Sequence, residues 1–318
     1  MSPAGAAAAL VAARAAALAF YSPYHFLREI AAEAQQLRFG AGRAGRYGAA
    51  PGEEVLTMAD GAGQWLVAGS PWDSAHFGTP TYRLFTGLFA ANAGPAKLAA
   101  AAAALRQELV RRGPYYAFGV VPAEDTALVQ ALTGGGWRLI ETRLTYHRAV
   151  AAPLLPAARY PVRLARADEA AAIGRIAAAA RNPHDRVHAD PWFGPARAGA
   201  YLARYAENAV SGLVADAVLL PDAPGLPVDG FLAIDDLRAD AAALGWGLSR
   251  VLLAAVGPQN RGWHHRLVAE TLHRAAALGH AHVLMTTQAT NAAVLRTCEK
   301  LGFRLGAVSH VLACHGGG

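Results

Sequence analysis

The chain alternates apolar runs with helix-forming runs from about residue 55 onward. In the first half, strand-like runs at 81–88, 115–121 and 137–147 alternate with helical runs at 96–112 and 124–132. Glycines and prolines separate these runs, as expected where a helix or strand ends. This β-α-β-α-β order predicts a half-domain that layers helices on a sheet.

The second half continues the same kind of pattern. Strands are predicted at 162–164, 212–220, 228–235, 248–256, 283–287 and 303–313, and helices at 168–181, 196–210, 263–278 and 291–301. Strands mixed with helices that can cover both faces are typical of α/β or α+β proteins. We therefore predict an α/β (α+β) fold with a mixed central sheet flanked by helices.

The length of 318 residues is about twice that of a usual domain, which favours two packed domains. A break rich in alanine and proline at 152–161 separates the halves. We predict an Ala-rich helical extension at 1–54, an N-terminal domain at 55–155 and a C-terminal domain at 156–318. Within the extension, apolar residues at helical spacing predict a helix at 26–37.

The first twenty residues superficially resemble a signal peptide. Arg14 interrupts the apolar stretch, no basic segment precedes it, and it falls short of the roughly 18 residues that cross a bilayer. We interpret this segment as a surface helix, either an inert extension or a partner surface. The sequence thus predicts no membrane partner, and the two cysteines, which form no disulfide framework, favour a cytoplasmic protein.

Composition excludes a disordered chain, because 54% of the residues are hydrophobic and only 16% are charged. The net charge of +6 is compatible with solvated helix faces or with attraction of a phosphorylated ligand. Without a basic run of five residues, nucleic acid is not predicted as a partner.

Cys298 and Cys314 support neither a disulfide framework nor a zinc site, so no metal is predicted.

The most informative segment is the turn between the strand at 248–256 and the helix at 263–278. A helix that starts directly after a Gly-containing turn presents free main-chain N–H groups, which suit a diphosphate. Gly262 would allow close approach, and Arg261 would add charge. A purely structural turn remains the alternative. The predicted cofactor-binding residues here are Ala254, Ala255, Val256, Gln259, Asn260, Arg261, Gly262, Trp263, His264 and His265.

A second segment, Thr287–Arg304, resembles the C-terminal signature of the GNAT N-acetyltransferase superfamily, with Asn291 opening a helix and Glu299-Lys300-Leu301-Gly302-Phe303 preceding the last strand. Gln259, Gly262 and His264 fall on the positions of that family's pyrophosphate motif, although His264 replaces a usual Gly or Ala. The resemblance implies acetyl-CoA as co-substrate. It also adds Asn291 to the predicted cofactor residues, as a helix cap, as a pantetheine ligand or as both.

A group within this superfamily, the TDP-fucosamine acetyltransferases, is similar over about residues 70–315. The similarity is carried by 70–80, by Arg186 and Asp190, and by 201–212. It implies a nucleotide-linked amino sugar as acceptor and a truncated GNAT-like N-terminal domain. Arg186, His188 and Asp190 are predicted to bind the acceptor, with solvated loop charges as the alternative.

Two residues are predicted to be catalytic. Cys298 stands where the family has a tyrosine that protonates the leaving thiolate, so this thiol is either the donor or a core residue. His264 or His265 could take its place, and two partly exposed helix histidines without a catalytic role are the alternative. Glu141 matches a carboxylate near the family's active-site cleft, and an ion pair with Arg143 or Arg138 is the alternative.

The sequence therefore predicts an N-acetyltransferase that moves an acetyl group from acetyl-CoA to a primary amine of a small acceptor. A GNAT enzyme that acts on an amino acid, a polyamine or a protein amine is one alternative. A non-catalytic acyl-CoA-binding module is another. A homodimer is compatible with the sequence, which does not set the oligomeric state.

Overall fold

The structure is a computed structural model that describes residues 3–59, 61, 63–151, 155–180 and 182–317. Its first half contains seven helices and five strands. They are α1 (Pro3–Ala13), α2 (Ala15–Leu18), α3 (Ala32–Phe39), α4 (Ala41–Gly45), β1 (Glu53–Thr57), β2 (Gly63–Gly69), α5 (Pro71–Phe77), β3 (Thr81–Phe89), α6 (Pro95–Arg111), β4 (Tyr115–Pro122), α7 (Thr126–Gly134) and β5 (Arg138–Ala149), with a 3₁₀ turn at Ala19–Tyr21.

The remaining elements follow in the same alternating order. They are β6 (Val162–Leu164), α8 (Ala170–Ala179), α9 (Arg186–Ala189), α10 (Pro195–Val210), β7 (Ala217–Pro221), β8 (Gly230–Asp235), α11 (Arg238–Leu244), β9 (Leu248–Val256), α12 (Trp263–Ala277), β10 (His282–Gln288), α13 (Ala292–Lys300) and β11 (Arg304–Gly316), with 3₁₀ turns at Ala167–Glu169 and Pro258–Asn260.

The chain divides into two compact units. Unit 1 comprises the residues up to Arg143 together with those from Ala307 onward, and unit 2 comprises Leu144–Gly306. The strand order is β1-β2-β3-β4-β11 in unit 1 and β10-β9-β8-β7-β6 in unit 2. In each unit one neighbouring pair is parallel, β3 with β4 and β9 with β10. The predicted mixed sheet is therefore confirmed.

Unit 1 carries apolar cores on both faces of its strands. On one face, α6 and α7 bury Leu105, Leu109 and Leu128 against Trp65 and other strand residues. On the other face, Leu18 of α2 packs with Leu66 and Leu88. The segment predicted as an extension thus contributes to the core of this unit. The bounds of the predicted domains remain predictions.

Unit 2 has the same layered construction. Helices α12 and α13 cover one face, where Leu267, Leu272 and Cys298 pack on Val283 and Met285. Helices α8 and α10 cover the opposite face through a second cluster that includes Phe231. Helices on both faces of the strands are consistent with the continuous apolar run 251–256 of β9.

The predicted bounds of β6 and β9 agree with the structure. The predicted helix at 26–37 starts only at Ala32, because 22–30 forms turns. The side chain of Gln35 holds these turns by donating hydrogen bonds to the carbonyls of Leu27 at 3.4 Å and Ile30 at 3.0 Å. Six elements were not predicted: β1, β2, α4, α5, α9 and α11. Helix α4 lies in the Gly- and Arg-rich stretch 40–51, whose composition predicts a linker and not a helix.

No helix within the described residues combines the length and the apolar character that a membrane span requires. The same part of the chain contains no group of three or more His, Cys, Asp or Glu side chains arranged to hold a metal ion.

Candidate functional site

The site predicted from the turn lies where β9 and β10 separate. These parallel strands pair only through 248–251 and 282–285, although β9 continues to Val256 and β10 to Gln288. Beyond that point β9 stays paired with β8 on its other edge. Since main-chain groups of a strand point alternately to either side, some N–H groups of 252–256 face the gap. Ala254, Ala255 and Val256, which the sequence predicts to bind the cofactor, lie in this part of β9 that is not paired with β10.

A β-bulge marks the point of separation. Ala233 of β8 is opposite Leu253, but the next residue, Ile234, is opposite Val251, so Leu252 is an extra residue in β9. A bulge bends its strand and increases the local twist. The bulge therefore accounts for the departure of β9 from β10.

The turn after β9 is held by two side chains. Asn260 is fully buried, donates to the Pro227 carbonyl at 3.2 Å and accepts the Asp229 N–H at 3.3 Å. The carboxylate of Asp229 accepts the main-chain N–H of Gln259 at 2.7 Å. Asn260 is thus a scaffold of the turn. Asp229 was not predicted, and no feature of the local sequence connects it with a turn thirty residues away.

The turn ends at Gly262, whose φ of +88° places it in the left-handed region just before α12. A side chain at this position would meet no atom within 4 Å, so the space beside the backbone is open. Among the described residues, no acceptor binds the N–H groups of Gly262, Trp263 and His264. Together with the exposed Arg261, these groups form a positive, accessible helix terminus.

Trp263, His264 and His265 continue into the first turn of α12. Trp263 is buried, and the Arg266 guanidinium lies 4.9 Å from its ring centre. The Nδ1 of His264 lies 3.0 Å from the Thr297 hydroxyl on α13. Burial, with a smaller effect of His265, lowers the pKa of His264 to about 4. His264 therefore links the two helices as a neutral ring.

Burial also lowers the pKa of His265, and the positive charges of Lys300 and Arg266 lower it further. His265 therefore favours its neutral form, like His264. Positive charge around the turn consequently comes from Arg261, Arg266 and Lys300 and not from the imidazoles.

Helix α13 carries two predicted residues. Asn291 caps the helix, because its side chain accepts the N–H of Val294 at 3.3 Å. Cys298 is fully buried in the core between α12 and the strands. Burial, with a contribution from Glu299, raises the pKa of its thiol to about 12. Cys298 is thus a protonated core residue in this structure, which agrees with the core-packing alternative.

Tyr146 on β5 is a residue that the sequence analysis missed. It is half-buried and packs against the core cluster that contains Cys298. Burial raises the pKa of its phenol, and the nearby Cys298 and Glu299 raise it further. A protonated phenol therefore lies beside the position where the family resemblance requires a proton donor. Its place on another element, about 150 residues away, hid it from motif comparison.

The predicted acceptor residues lie in the loop around α9. Arg186 is buried, donates to the Tyr201 hydroxyl at 3.1 Å, and lies within 6 Å of the Tyr201 and Phe193 ring centres. His188 contacts the Asp185 carboxylate at 2.8 Å. Asp190 is buried and accepts the Trp192 N–H at 3.1 Å. In this structure the three side chains organise the loop and are not solvated charges.

Glu141 belongs to unit 1. Its carboxylate is buried and accepts a hydrogen bond from Arg143 at 2.8 Å. The ion pair that the sequence offers as an alternative is therefore present. A catalytic role for Glu141 remains a prediction.

Solved structures share this architecture. A GCN5-related N-acetyltransferase (GNAT) from Sphaerobacter thermophilus matches with a TM-score of 0.55 at 13% identity, covering 98% of this chain and 93% of that protein. A functionally unknown conserved protein from Staphylococcus epidermidis ATCC 12228 matches with a TM-score of 0.52 at 10% identity, covering 78% and 90%. No model of a protein family and no curated protein matches the sequence. The chain has the GNAT fold, with a mixed sheet flanked by helices.

Proposed function

We propose that the protein is a GNAT N-acetyltransferase that transfers an acetyl group from acetyl-CoA to a primary amine of a small acceptor. The observation that carries this proposal is the coincidence of two features in unit 2. Strand β9 separates from β10 in its last five residues, and it leads directly into the open turn at Gly262. A gap with free strand N–H groups beside a helix terminus with free N–H groups suits an acyl thioester joined to a diphosphate.

The described residues fit such a co-substrate. The N–H groups of Gly262, Trp263 and His264, with the guanidinium of Arg261, would hold the diphosphate. The strand segment 254–256 would lie along the acyl arm, and Asn291 at the start of α13 would face the same arm. Acetyl-CoA would supply an activated acetyl group. One contact opposes the fit, because the Asp229 carboxylate already occupies the N–H of Gln259.

The protein groups have two tasks in this reaction. A strand N–H from 254–256 would polarise the thioester carbonyl in a region shielded from water. A proton donor would neutralise the departing thiolate. We assign the second task to the phenol of Tyr146, because Cys298 has no exposed surface whereas Tyr146 is only half-buried. The acceptor amine must reach the site as the free base.

The proposed acceptor is a nucleotide-linked amino sugar. Support comes from the sequence segments at 70–80 and 201–212 that resemble TDP-fucosamine acetyltransferases. The positive groups around the turn, which include Arg261 and Arg266, favour phosphorylated ligands. An amino acid, a polyamine or a protein amine would use the same donor site and a different loop around α9. Exchanging residues 182–193 should therefore change the preferred acceptor while the affinity for CoA stays the same.

The proposal is tested by incubating the purified protein with acetyl-CoA and a panel of amines while free thiol is measured. The panel contains amino-sugar nucleotides, amino acids, polyamines and peptides. Thiol release that depends on one amine class is the expected result. Tight CoA binding in calorimetry without thiol release for any amine would contradict the enzymatic assignment.

The burial of Cys298 favours a second candidate, a non-catalytic acyl-CoA-binding module. In that case neither Tyr146 nor Cys298 would affect any turnover, and only binding of CoA would be observed. Replacing Cys298 by Tyr distinguishes the two candidates. Turnover that appears only in Cys298→Tyr would indicate that the natural chain binds without catalysing.

A further inference from the structure

The two units repeat one architecture in detail. Strands β3 and β9 both have nine residues. In unit 1, Thr86 is opposite Leu66 and Leu84 is opposite Val67, so Phe85 is an extra residue in β3. This bulge falls on the fifth residue of its strand, as Leu252 does in β9.

The strand separation is repeated as well. The parallel pairing of β3 with β4 covers 81–84 and 116–119, although β3 continues to Phe89 and β4 to Pro122. In each unit, therefore, the first four residues of the bulged strand are paired with its parallel neighbour and the last five are not.

Helix α7 follows β4 in unit 1, and helix α13 follows β10 in unit 2. Both helices begin with the same kind of side-chain cap. Asp125 caps α7 by accepting the N–H of Leu128 at 3.3 Å. Asn291 caps α13 by accepting the N–H of Val294 at 3.3 Å. Asp125 in unit 1 thus corresponds to Asn291 in unit 2. The helix cap is a charged residue in unit 1 and a neutral residue in unit 2.

In unit 1 the region of strand separation is occupied by the N-terminal segment. The Nε of Arg14 donates to the carbonyl of Gly87 on β3 at 3.2 Å, and its guanidinium forms an ion pair with Asp125. The guanidinium also lies 4.1 Å from the ring centre of Phe89. Arg14 and Asp125 are both almost completely buried.

Tyr21 completes this contact. Its hydroxyl donates to the Asp125 carboxylate at 2.7 Å and accepts a hydrogen bond from Thr86 at 2.9 Å. A network of Arg14, Tyr21 and Asp125 therefore connects the separated part of β3 with the start of α7.

We infer that Arg14 is a built-in occupant of the unit 1 cleft. It fills the place that corresponds to the acyl-arm gap of unit 2, so the chain has two copies of one architecture and a single acyl-CoA site. This inference rests on the proposed function for the part that concerns CoA. It gives Arg14 and Tyr21 of the N-terminal segment a role, which is to close the cleft of unit 1. The neutral Asn291 provides no partner for such an arginine in unit 2.

The number of CoA molecules bound per chain is informative, because unit 1 has a cavity at the turn between β3 and α6. A cavity of about 390 Å³ lies between the end of β3 and the start of α6, lined by residues that include Asn92, Gly94 and Lys97. The phosphates of CoA could enter such a cavity if the adjoining gap were free. With Arg14 in place, the acyl arm has no path between β3 and β4.

Hydrogen exchange measured by mass spectrometry tests the closure without any ligand. Arg14→Ala should speed exchange at least tenfold in peptides covering 85–89, while peptides covering 252–256 keep their rates. Arg111→Ala, which removes an exposed arginine of the same unit, is the matched control and should change neither. Equal rates at 85–89 in the wild type and Arg14→Ala would overturn the closure.

Asp125→Asn provides a second route if Arg14→Ala does not fold, because asparagine keeps the helix cap and removes the charge. It should likewise speed exchange at 85–89. Unchanged exchange in this folded variant would also overturn the closure.

Calorimetric titration with CoA tests the single site. We expect one equivalent per chain for the wild type and for Asp125→Asn, with the same affinity. Asn291→Asp, which keeps the cap in unit 2 but adds a carboxylate beside the proposed arm, should bind at least tenfold more weakly. Two equivalents for the wild type would overturn the inference. Absence of CoA binding would overturn the proposed function and the single-site claim together, while the exchange rates decide the closure separately.

Discussion

The carboxylate of Asp229 accepts the main-chain N–H of Gln259 at 2.7 Å, and this places a negative charge on a turn that we propose to bind a diphosphate. The same residue accepts the N–H of Gly257 through its own main-chain carbonyl at 2.7 Å. Asp229 therefore stabilises the turn and would compete with the proposed anionic ligand for it. The two effects can be separated by replacing the charge without removing the acceptor.

Asp229→Asn should bind CoA about tenfold more tightly, which corresponds to about 1.4 kcal/mol, because the amide oxygen still accepts the Gln259 N–H while the repulsion disappears. Calorimetry at low and high salt checks this, since the gain should shrink as salt screens the charge.

Asp222→Asn is the matched control, because Asp222 lies in the same connection between β7 and β8 and has an exposed carboxylate. Its effect on CoA affinity should be small. Weaker CoA binding by Asp229→Asn would mean that the carboxylate is needed to shape the turn.

His264 predicts a pH dependence of stability. Its pKa is lowered to about 4 in the folded protein, whereas an unfolded histidine titrates near 6.5. Between these values the unfolded state binds a proton that the folded state does not. The free energy of unfolding should therefore fall as the pH drops from about 6.5 to 4, by at most about 3 kcal/mol for this residue.

Urea unfolding of the wild type and His264→Gln at pH 7 and pH 4.5 measures this effect. The variant should lose less stability on acidification, because its amide can still meet Thr297 and does not titrate. The exposed His184 provides the control, and His184→Gln should follow the wild type. An acid loss in His264→Gln as large as that of the wild type would contradict the assignment.

The strand and the turn at the centre of the candidate site could be predicted from the sequence. Most of the run 248–256 is apolar, with a continuous apolar stretch at 251–256, and it lies between Gly247 and Gly257, so the strand and its ends could be inferred. Strands β1 and β2 were missed because Glu53, Glu54 and Gln64 weaken their apolar pattern and several neighbours are small.

Residues whose role depends on distant partners could not be inferred. Arg14 interrupts an alanine-rich run and looks like a surface charge, yet its partner Asp125 is 111 positions away. Asp229 and Tyr146 act through contacts across the fold in the same way. Periodicity reports which face of an element is buried, and it contains no information about which polar group meets that face.

The proton donor can be identified by comparing three variants. Tyr146→Phe should lower kcat about 100-fold with little change in the affinity for CoA, because positioned acids contribute factors of this size. Cys298→Ala should change kcat less than threefold, a difference of below about 1 kcal/mol in activation free energy. Cys314→Ala removes a buried thiol from unit 1 and serves as the control for unspecific loss of packing. A large loss of kcat in Cys298→Ala alone would assign the role to the thiol.

The open turn can be tested through glycines that are conformationally alike. Gly262 and Gly302 both have positive φ, and at both positions a side chain would meet open space. Replacement by alanine should therefore cost each variant about 1–2 kcal/mol of unfolding free energy from backbone strain alone. Only Gly262→Ala should also weaken CoA binding, because the added methyl group lies beside the free N–H groups of α12. Gly302 follows α13 and lies outside the proposed diphosphate turn, so Gly302→Ala measures the effect of backbone strain alone. Equal CoA affinities for the two variants would show that the turn at Gly262 does not hold the diphosphate.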